Sequence, residues 1–303
     1  MTGKRKELTI FTPTYNRAYI LPALYRSLVI QTNLDFEWII VDDGSTDNTK
    51  KIVENWIYEN RINIRYYYQS NAGKMQAHNV GVEKSSSHLF MCVDSDDYIY
   101  PTSVQKIIEC WKEEVDNDKI CGILAPRKML DSQYENLEYT HINSTYITLE
   151  QYNNINKFRG ETALIFRTEV LKQYLFPKIE NEKFITEDYI YSQINYRYKF
   201  KFLKAYIIAC RYQEDGYTKH YKELIIKNPQ GYLLYFSLKS HLASSIRLKI
   251  KYLLLYIAMS QHLCLTLYRT IHGAHYKIIT FCLYPFRKKI KSFAFKKYLG
   301  IGM

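Results

Sequence analysis

Two aspartates separated by one residue, Asp94-Ser95-Asp96, follow the apolar run Leu89-Phe90-Met91-Cys92-Val93. In an extended segment, residues i and i+2 project to the same side. Two carboxylates so placed can share a divalent cation, which takes hard oxygen ligands. Diphosphate oxygens and water would complete its shell. A second acidic cluster, Asp42-Asp43-Gly44-Ser45-Thr46-Asp47, closes another β-rich run. An ionised carboxylate only accepts hydrogen bonds, so Asp42, nearest the strand, suits the donors of a nucleobase or ribose. Ser45, Thr46 and Asp47 read better as turn and helix-capping residues. Lys74 follows Gly73 at the start of a helical segment, where a cation beside a helix N-terminus can meet a phosphate or a uracil carbonyl. His78, one turn later, reads as structural. Glu187-Asp188 precedes another helical run. A carboxylate there can take a proton from an acceptor hydroxyl, or can cap the helix together with Thr186; spacing alone does not choose.

The elements that must position these residues alternate. Leu8 to Thr12 reads as a buried strand ended by Pro13, and Ala18 to Ile30 as a helix. Phe36 to Val41 is a strand, and Asp47 caps a helix through Tyr58. Ile62 to Tyr68, Ala72 to Lys84 and His88 to Val93 continue as strand, helix and strand. This βαβα rhythm with short links predicts an α/β fold, a mostly parallel sheet flanked by helices. Such sheets bind ligands outside the carboxyl ends of their strands. Four polar clusters fall at those ends: Thr14-Tyr15-Asn16-Arg17, Asp42-Asp43-Gly44-Ser45, Asn71-Ala72-Gly73-Lys74 and Asp94-Ser95-Asp96-Asp97. Residues 120–223 are less regular, with a strand expected in Gly160 to Arg167, a helix in Asp188 to Tyr198 and one strand over Phe200 to Cys210.

The net charge of +12 is unevenly spread. No Asp or Glu occurs from Leu224 to Met303, a stretch with ten Lys and three Arg. Removing this +13 from +12 leaves residues 1–223 at −1. The expected organisation is therefore a near-neutral domain over 1–223 and a basic helical region over 224–303. Such a region suits an anionic surface. Between Lys251 and Arg269 the apolar stretch is short of the ~20 residues a membrane-spanning helix needs. Phe286, Ile290 and Phe293 fall at i, i+4 and i+7 among Arg287, Lys288, Lys289 and Lys291, an interfacial amphipathic pattern. The reading is a peripheral association with an anionic membrane; a helical subdomain is the alternative. No nucleic-acid recognition module is visible. His272-Gly273-Ala274-His275 reads as interfacial, not as a metal site. The six scattered cysteines form no CxxC pair and read as buried reduced thiols of a cytosolic protein. No secretory signal is visible. Motifs of P-loop ATPases, Rossmann dehydrogenases, α/β-hydrolases and zincins are missing.

Taken in order, Phe11-Thr12-Pro13-Thr14-Tyr15-Asn16-Arg17, Trp38-Ile39-Ile40-Val41-Asp42-Asp43-Gly44-Ser45-Thr46-Asp47, Asn71-Ala72-Gly73-Lys74 and Val93-Asp94-Ser95-Asp96-Asp97 resemble the family 2 glycosyltransferases of GT-A fold over residues 7–220. Glu182 to Tyr189 and Tyr212-Gln213-Glu214-Asp215-Gly216 look like later motifs of the bacterial branch that builds capsular and other surface polysaccharides. The resemblance implies that Pro13, Tyr15 and Asp42 hold the nucleobase and ribose and that Lys74 lies near the nucleotide. It implies that Asp94 serves the ribose or the metal, and that Asp96 binds Mn²⁺ or Mg²⁺ at the diphosphate. Asp188 is the implied base, with Glu187 as the alternative. The expected reaction is inverting transfer from a nucleotide sugar, UDP foremost, to a hydroxyl of a lipid-linked saccharide acceptor at the cytoplasmic face of the plasma membrane. The rival expectation is a catalytically silent partner in a polysaccharide assembly complex.

Overall fold

The computed structural model describes residues 5–130, 142–156, 162–210, 220–264 and 284–300. The Tyr212-to-Gly216 motif, the His272-to-His275 pair and Cys282 lie outside the described residues. By packing, the chain divides into two units. One comprises Met1–Leu175 and Arg197–Gln213, the other Phe176–Tyr196 and Glu214–Met303.

The first unit opens with β1 (Leu8–Thr14), α1 (Leu21–Val29), β2 (Phe36–Asp42), α2 (Thr49–Glu59), β3 (Ile64–Tyr68), α3 (Lys74–Lys84) and β4 (Leu89–Cys92). It continues with β5 (Tyr98–Ile99), α4 (Ser103–Lys112), β6 (Ile120–Met129), β7 (Tyr146–Ile147), α5 (Leu149–Asn156), β8 (Thr162–Arg167) and α6 (Thr168–Leu171). Two late strands, β9 (Lys199–Phe202) and β10 (Ile208–Cys210), complete it. The sheet runs β3-β2-β1-β4-β8-β6-β10-β5, with β9 beside β6 and β7 beside β9. Its first four strands are parallel. β8 runs antiparallel to both β4 and β6. The α/β expectation, a mostly parallel sheet flanked by helices, therefore holds, with antiparallel strands confined to the later part.

β1 and β2 are buried along almost their whole length, as befits strands covered on both faces. On one face Trp38 of β2 stacks with Tyr25 of α1 and Trp56 of α2, at 6.3 and 5.9 Å between ring centroids. On the other, Phe11 of β1 meets His78 of α3 and Phe90 of β4 at 5.6 and 5.4 Å. Alternation along β1 and β2 assigns these two sets to opposite faces.

Several local expectations need correction. The run Phe200 to Cys210 is not one strand. Phe202 pairs with Leu124 and Ile208 with Arg127. Six steps on one strand match three on β6, so the intervening residues loop out. The long strand β6, which carries β8, β9 and β10, was not anticipated from the sequence. Helix boundaries also move inward: α1 starts at Leu21 rather than Ala18, and α3 at Lys74 rather than Ala72. Asn48 stands at the cap of α2, and Asp47 contributes its carboxylate to the Thr49 N–H at 2.9 Å.

The second unit is helical: α7 (Asp188–Arg197), α8 (Tyr221–Lys227), α9 (Pro229–Leu242), α10 (Ile246–His262) and a helix over Arg287–Ala294. Tyr232, Phe236, Tyr256, Ile257 and Phe295 are its buried centre. The acid-free stretch thus builds an apolar core of its own. Ile290 packs against that core, while Phe286 and Phe293 stay exposed at 58% and 48%. Among the described residues no helix is long and apolar enough to cross a membrane. The packing division does not follow the charge shift at residue 224, because residues 176–196 pack with the C-terminal helices.

Gly81 brings α3 close to β1. A Cβ there would lie 2.3 Å from Cδ2 of the buried Phe11 ring. Gly81→Ala is expected to destabilise the fold by about 1–3 kcal/mol, the usual cost of overpacking, read as a lower urea midpoint at unchanged slope. His78 is fully buried between two rings, and burial, assisted by the Lys74 charge, pushes its imidazole down from 6.5 to about 3. Between those values the unfolded chain binds a proton that the folded chain does not. Stability therefore falls as pH drops below 6.5, by about 1.4 kcal/mol per pH unit from this group. His78→Leu should flatten the stability-versus-pH curve by that slope in urea titrations across this window.

Candidate active site

The parallel register brings the carboxyl ends of β1, β2 and β3 side by side, with Thr14 opposite Asp42 and Asp42 opposite Tyr68. β4 joins them, and just beyond it the Val93 N–H donates to the Phe11 carbonyl at 2.9 Å. The loops that leave these ends are tied together by their own polar groups. Asn16 takes a left-handed conformation with φ 53°. Its N–H donates to Ser45 Oγ and its side-chain oxygen accepts from the Thr46 N–H, both at 2.8 Å. Asp47 accepts from the Ala18 N–H at 2.9 Å. Ser45, Thr46 and Asp47 therefore hold loops in place. Tyr15, between them, is 48% exposed, and Pro13 pairs with Val41 within the sheet.

The adjacent acids Asp42 and Asp43 are both buried but differ in their partners. Asp43 accepts from the N–H groups of Ala72 and Gly73 and from Gln69 Nε2, at 2.7–2.8 Å. Its carbonyl accepts from Asn71 Nδ2 at 2.8 Å. That set fixes the turn into α3. Asp42 accepts from the Ser45 N–H on Oδ1 at 2.7 Å and from the Tyr66 hydroxyl on Oδ2 at 2.6 Å. Each carboxylate oxygen has a further lone pair, though the residue itself is covered, at 0% exposure. Tyr66 was not picked out from the sequence. It stands opposite Ile40 in the β2–β3 ladder, on the face that Asp42 also presents, as a diagonal neighbour.

Lys74, the first residue of α3, reaches Asp94. Its Nζ lies 2.8 Å from Asp94 Oδ1, with the two side chains 18% and 34% exposed. Burial pushes the Asp94 carboxyl up, but the charges of Lys74, Arg127 and Arg17 outweigh it and hold it below the usual carboxylate range. Asp96 moves the other way: burial, and then the Asp94 charge, raise it. The pair is therefore electrically unequal. The third acid, Asp97, is buried and ion-paired with Arg127 at 3.0 Å, which gives it a structural partner. Of the sequence-selected residues, Lys74, Asp94 and Asp96 thus meet at one place, with charge added by Arg17 of the first polar cluster and by Arg127, which the sequence had not singled out.

Glu187 and Asp188 lie in the second unit, at the start of α7. Asp188 Oδ1 accepts from the Ser192 hydroxyl at 2.8 Å. Its Oδ2 accepts from the Tyr235 hydroxyl at 2.8 Å and pairs with Lys239 Nζ at 3.0 Å. Tyr235 and Lys239 are four residues apart on α9, the spacing that puts two side chains on one helix face. Burial and the Asp188 charge push the Tyr235 phenol well above its ordinary value, so it remains a donor. The preceding segment is anchored to the same helix: Glu182 accepts from the N–H groups of Gln230 and Gly231 at 2.7 and 2.8 Å.

Comparison with known proteins identifies the family and the fold. The family model described as Glycosyl transferase family 2 matches residues 9–175. An uncharacterised glycosyltransferase of Nostoc sp. is 25% identical over 177 residues, covering 56% of this chain and 53% of that protein. The teichoic acid poly(glycerol phosphate) polymerase of Staphylococcus epidermidis is 28% identical over 202 residues, 64% of this chain and 27% of the polymerase. The chain thus spans about half or less of the length of these curated relatives. Among solved structures, S. aureus TarS in complex with UDP-GlcNAc matches with a TM-score of 0.63 at 19% identity, covering 84% of this chain and 73% of that one. At that identity the likeness is one of fold, the Rossmann-like GT-A fold.

Proposed function

The chain belongs to glycosyl transferase family 2, and on that premise we propose that it is an inverting enzyme of bacterial surface-polysaccharide synthesis, moving a sugar from a UDP-linked donor to a hydroxyl of a lipid-linked saccharide. The observation that carries this is the meeting of Lys74, Asp94 and Asp96 at strand ends where Asp42 also lies. The UDP-GlcNAc bound in the TarS structure supports the donor. The polymer-forming relative supports the surface-polymer context.

In this reading Asp42 accepts hydrogen bonds from the nucleobase or ribose, with Pro13 and Tyr15 flanking the base. Lys74 meets the diphosphate, and Asp94 contacts the ribose or the metal. Asp96 is the firmer metal ligand. The donor set fits Mn²⁺ or Mg²⁺. Such ions are held by one or two carboxylates with substrate phosphates and water filling the remaining positions. Among the described residues no group of three or more His, Cys, Asp or Glu forms a closed cage. The ion would stabilise negative charge on the leaving diphosphate. Asp188 takes the proton from the acceptor hydroxyl, whose oxygen then attacks the anomeric carbon opposite the leaving group, and the centre inverts. Tyr235, Ser192 and Lys239 orient that carboxylate.

Asp188→Asn should lower transfer by a factor of about 10²–10⁴, the usual worth of a general base, while UDP affinity stays within about twofold. Glu187→Gln should retain most activity. The readout is UDP release with and without a saccharide acceptor. Wild-type-like transfer by Asp188→Asn, with loss in Glu187→Gln, would move the base to Glu187. Absence of any UDP release by the native chain would favour the catalytically silent partner.

The same reading places the chain peripherally on the cytoplasmic face of the membrane. Exposed Phe286 and Phe293, with Lys288, Lys289, Lys296 and Lys297 around them, suit an anionic lipid surface, where each basic residue near the surface contributes about 1 kcal/mol. Sedimentation of the full chain with phosphatidylserine vesicles should fall at high salt and in the double variant Phe286→Ser, Phe293→Ser. Equal binding to neutral vesicles would contradict it.

A further inference from the structure

We propose that Lys74 is a built-in counter-ion that bars Asp94 to a free divalent cation, so that the ion enters together with the diphosphate it neutralises. The inference rests on the reading of Asp94 and Asp96 as metal-facing carboxylates. Lys74 Nζ already sits 2.8 Å from Asp94 Oδ1, so the carboxylate has a cation beside it. Both side chains are largely shielded from solvent, where charge interactions are weakly screened.

The charge balance of the cluster points the same way. Asp94, Asp96 and Asp97 contribute negative charge, and Lys74, Arg17 and Arg127 act on them with positive charge. Three acids against three cations leave no net charge. A bare dication added to this neutral, half-buried place gains little attraction and meets three like charges. The same dication accompanied by the doubly negative diphosphate of a nucleotide sugar adds no net charge. The diphosphate also offers Lys74 a new partner: the ammonium exchanges a carboxylate oxygen for a phosphate oxygen, and Asp94 is released to the ion. No bond is made or broken in this exchange.

Asp43 supplies the geometric condition. By holding the N–H groups of Ala72 and Gly73, it fixes where the first residue of α3 begins. Lys74 therefore starts from a set position, and only its flexible stem has to move.

The test is Mn²⁺ binding to the full chain, followed by the electron-paramagnetic signal of free Mn²⁺, with and without UDP. Wild-type protein should bind Mn²⁺ at least about tenfold more tightly with UDP than without, the reciprocal coupling that linkage requires. Lys74→Met should bind Mn²⁺ without UDP about tenfold more tightly than wild type, as removal of a close like charge predicts, and its UDP dependence should shrink. Lys74→Arg should behave as wild type, and Lys74→Gln as Lys74→Met. Thermal unfolding of each variant verifies that it is folded. If Lys74→Met and Lys74→Gln bind Mn²⁺ no more tightly than wild type without UDP, while UDP-coupled binding persists in the wild type, the counter-ion role is overturned. If wild-type protein binds no Mn²⁺ even at saturating UDP, the metal reading itself fails and this inference fails with it.

Discussion

Asp43 carries no chemistry in this fold, yet the candidate site depends on how its carboxylate is satisfied. It is buried, and a buried ionised carboxylate is tolerable only when donors surround it. Those donors are the Ala72 and Gly73 N–H groups and the Gln69 amide. The loop after β2 and the loop before α3 must therefore touch. They do so closely, since a Cβ on Gly44, whose φ is +89°, would lie 2.9 Å from the Asn71 nitrogen. Glycine alone meets both conditions there. Once the turn is held, α3 starts at Lys74, and Lys74 reaches Asp94.

Neighbouring acids share the work in the same manner throughout the site. Asp43 binds the scaffold, while Asp42 beside it keeps lone pairs available. Asp97 is committed to Arg127, while Asp96, two residues after Asp94, is left with a raised carboxyl by burial and by the Asp94 charge. In each pair the acid with scaffold partners helps to hold its neighbour in position. The inequality of Asp94 and Asp96 follows from this crowding. The cations around Asp94 hold its carboxyl below the usual range, and its charge adds to burial in raising Asp96.

The parallel half of the fold was legible because its strands are apolar runs cut off by polar clusters, a pattern that survives without knowledge of partners. β6 was hidden because Gly122 and Pro126 interrupt it, and both residues ordinarily mark breaks in strands. Gly122 is needed where the register of β6 shifts, since a Cβ there would lie 1.9 Å from the Ile165 carbonyl oxygen. Tyr66 was hidden for another reason. Alternation says which residues share a face, but the register against β2 that brings Tyr66 to Asp42 is a tertiary fact. The stripe of Phe286, Ile290 and Phe293 was read correctly as a spacing and incompletely as a surface. Periodicity does not tell which member of a stripe is covered, and here Ile290 turns to the core.

The C-terminal helices show how an acid-free stretch is tied to the residues before it. From Leu224 onward the chain has no acid, so it cannot neutralise its own lysines or supply carboxylates to its own helix starts. α9 begins with Pro229, and the N–H groups of Gln230 and Gly231 need acceptors in its first turn. Asn228, at the cap position, spends its side-chain oxygen on the N–H groups of Lys183 and Phe184 instead. The acceptor for α9 is then Glu182, and the counter-charge for Lys239 is Asp188. Both come from upstream of the acid-free stretch. An acid-free helical segment must draw its carboxylates from elsewhere in the chain, and the segment it draws on here is the one that carries Glu187 and Asp188. Glu182 and Asp188 are thus two of the ties by which residues 176–196 pack with the acid-free helices.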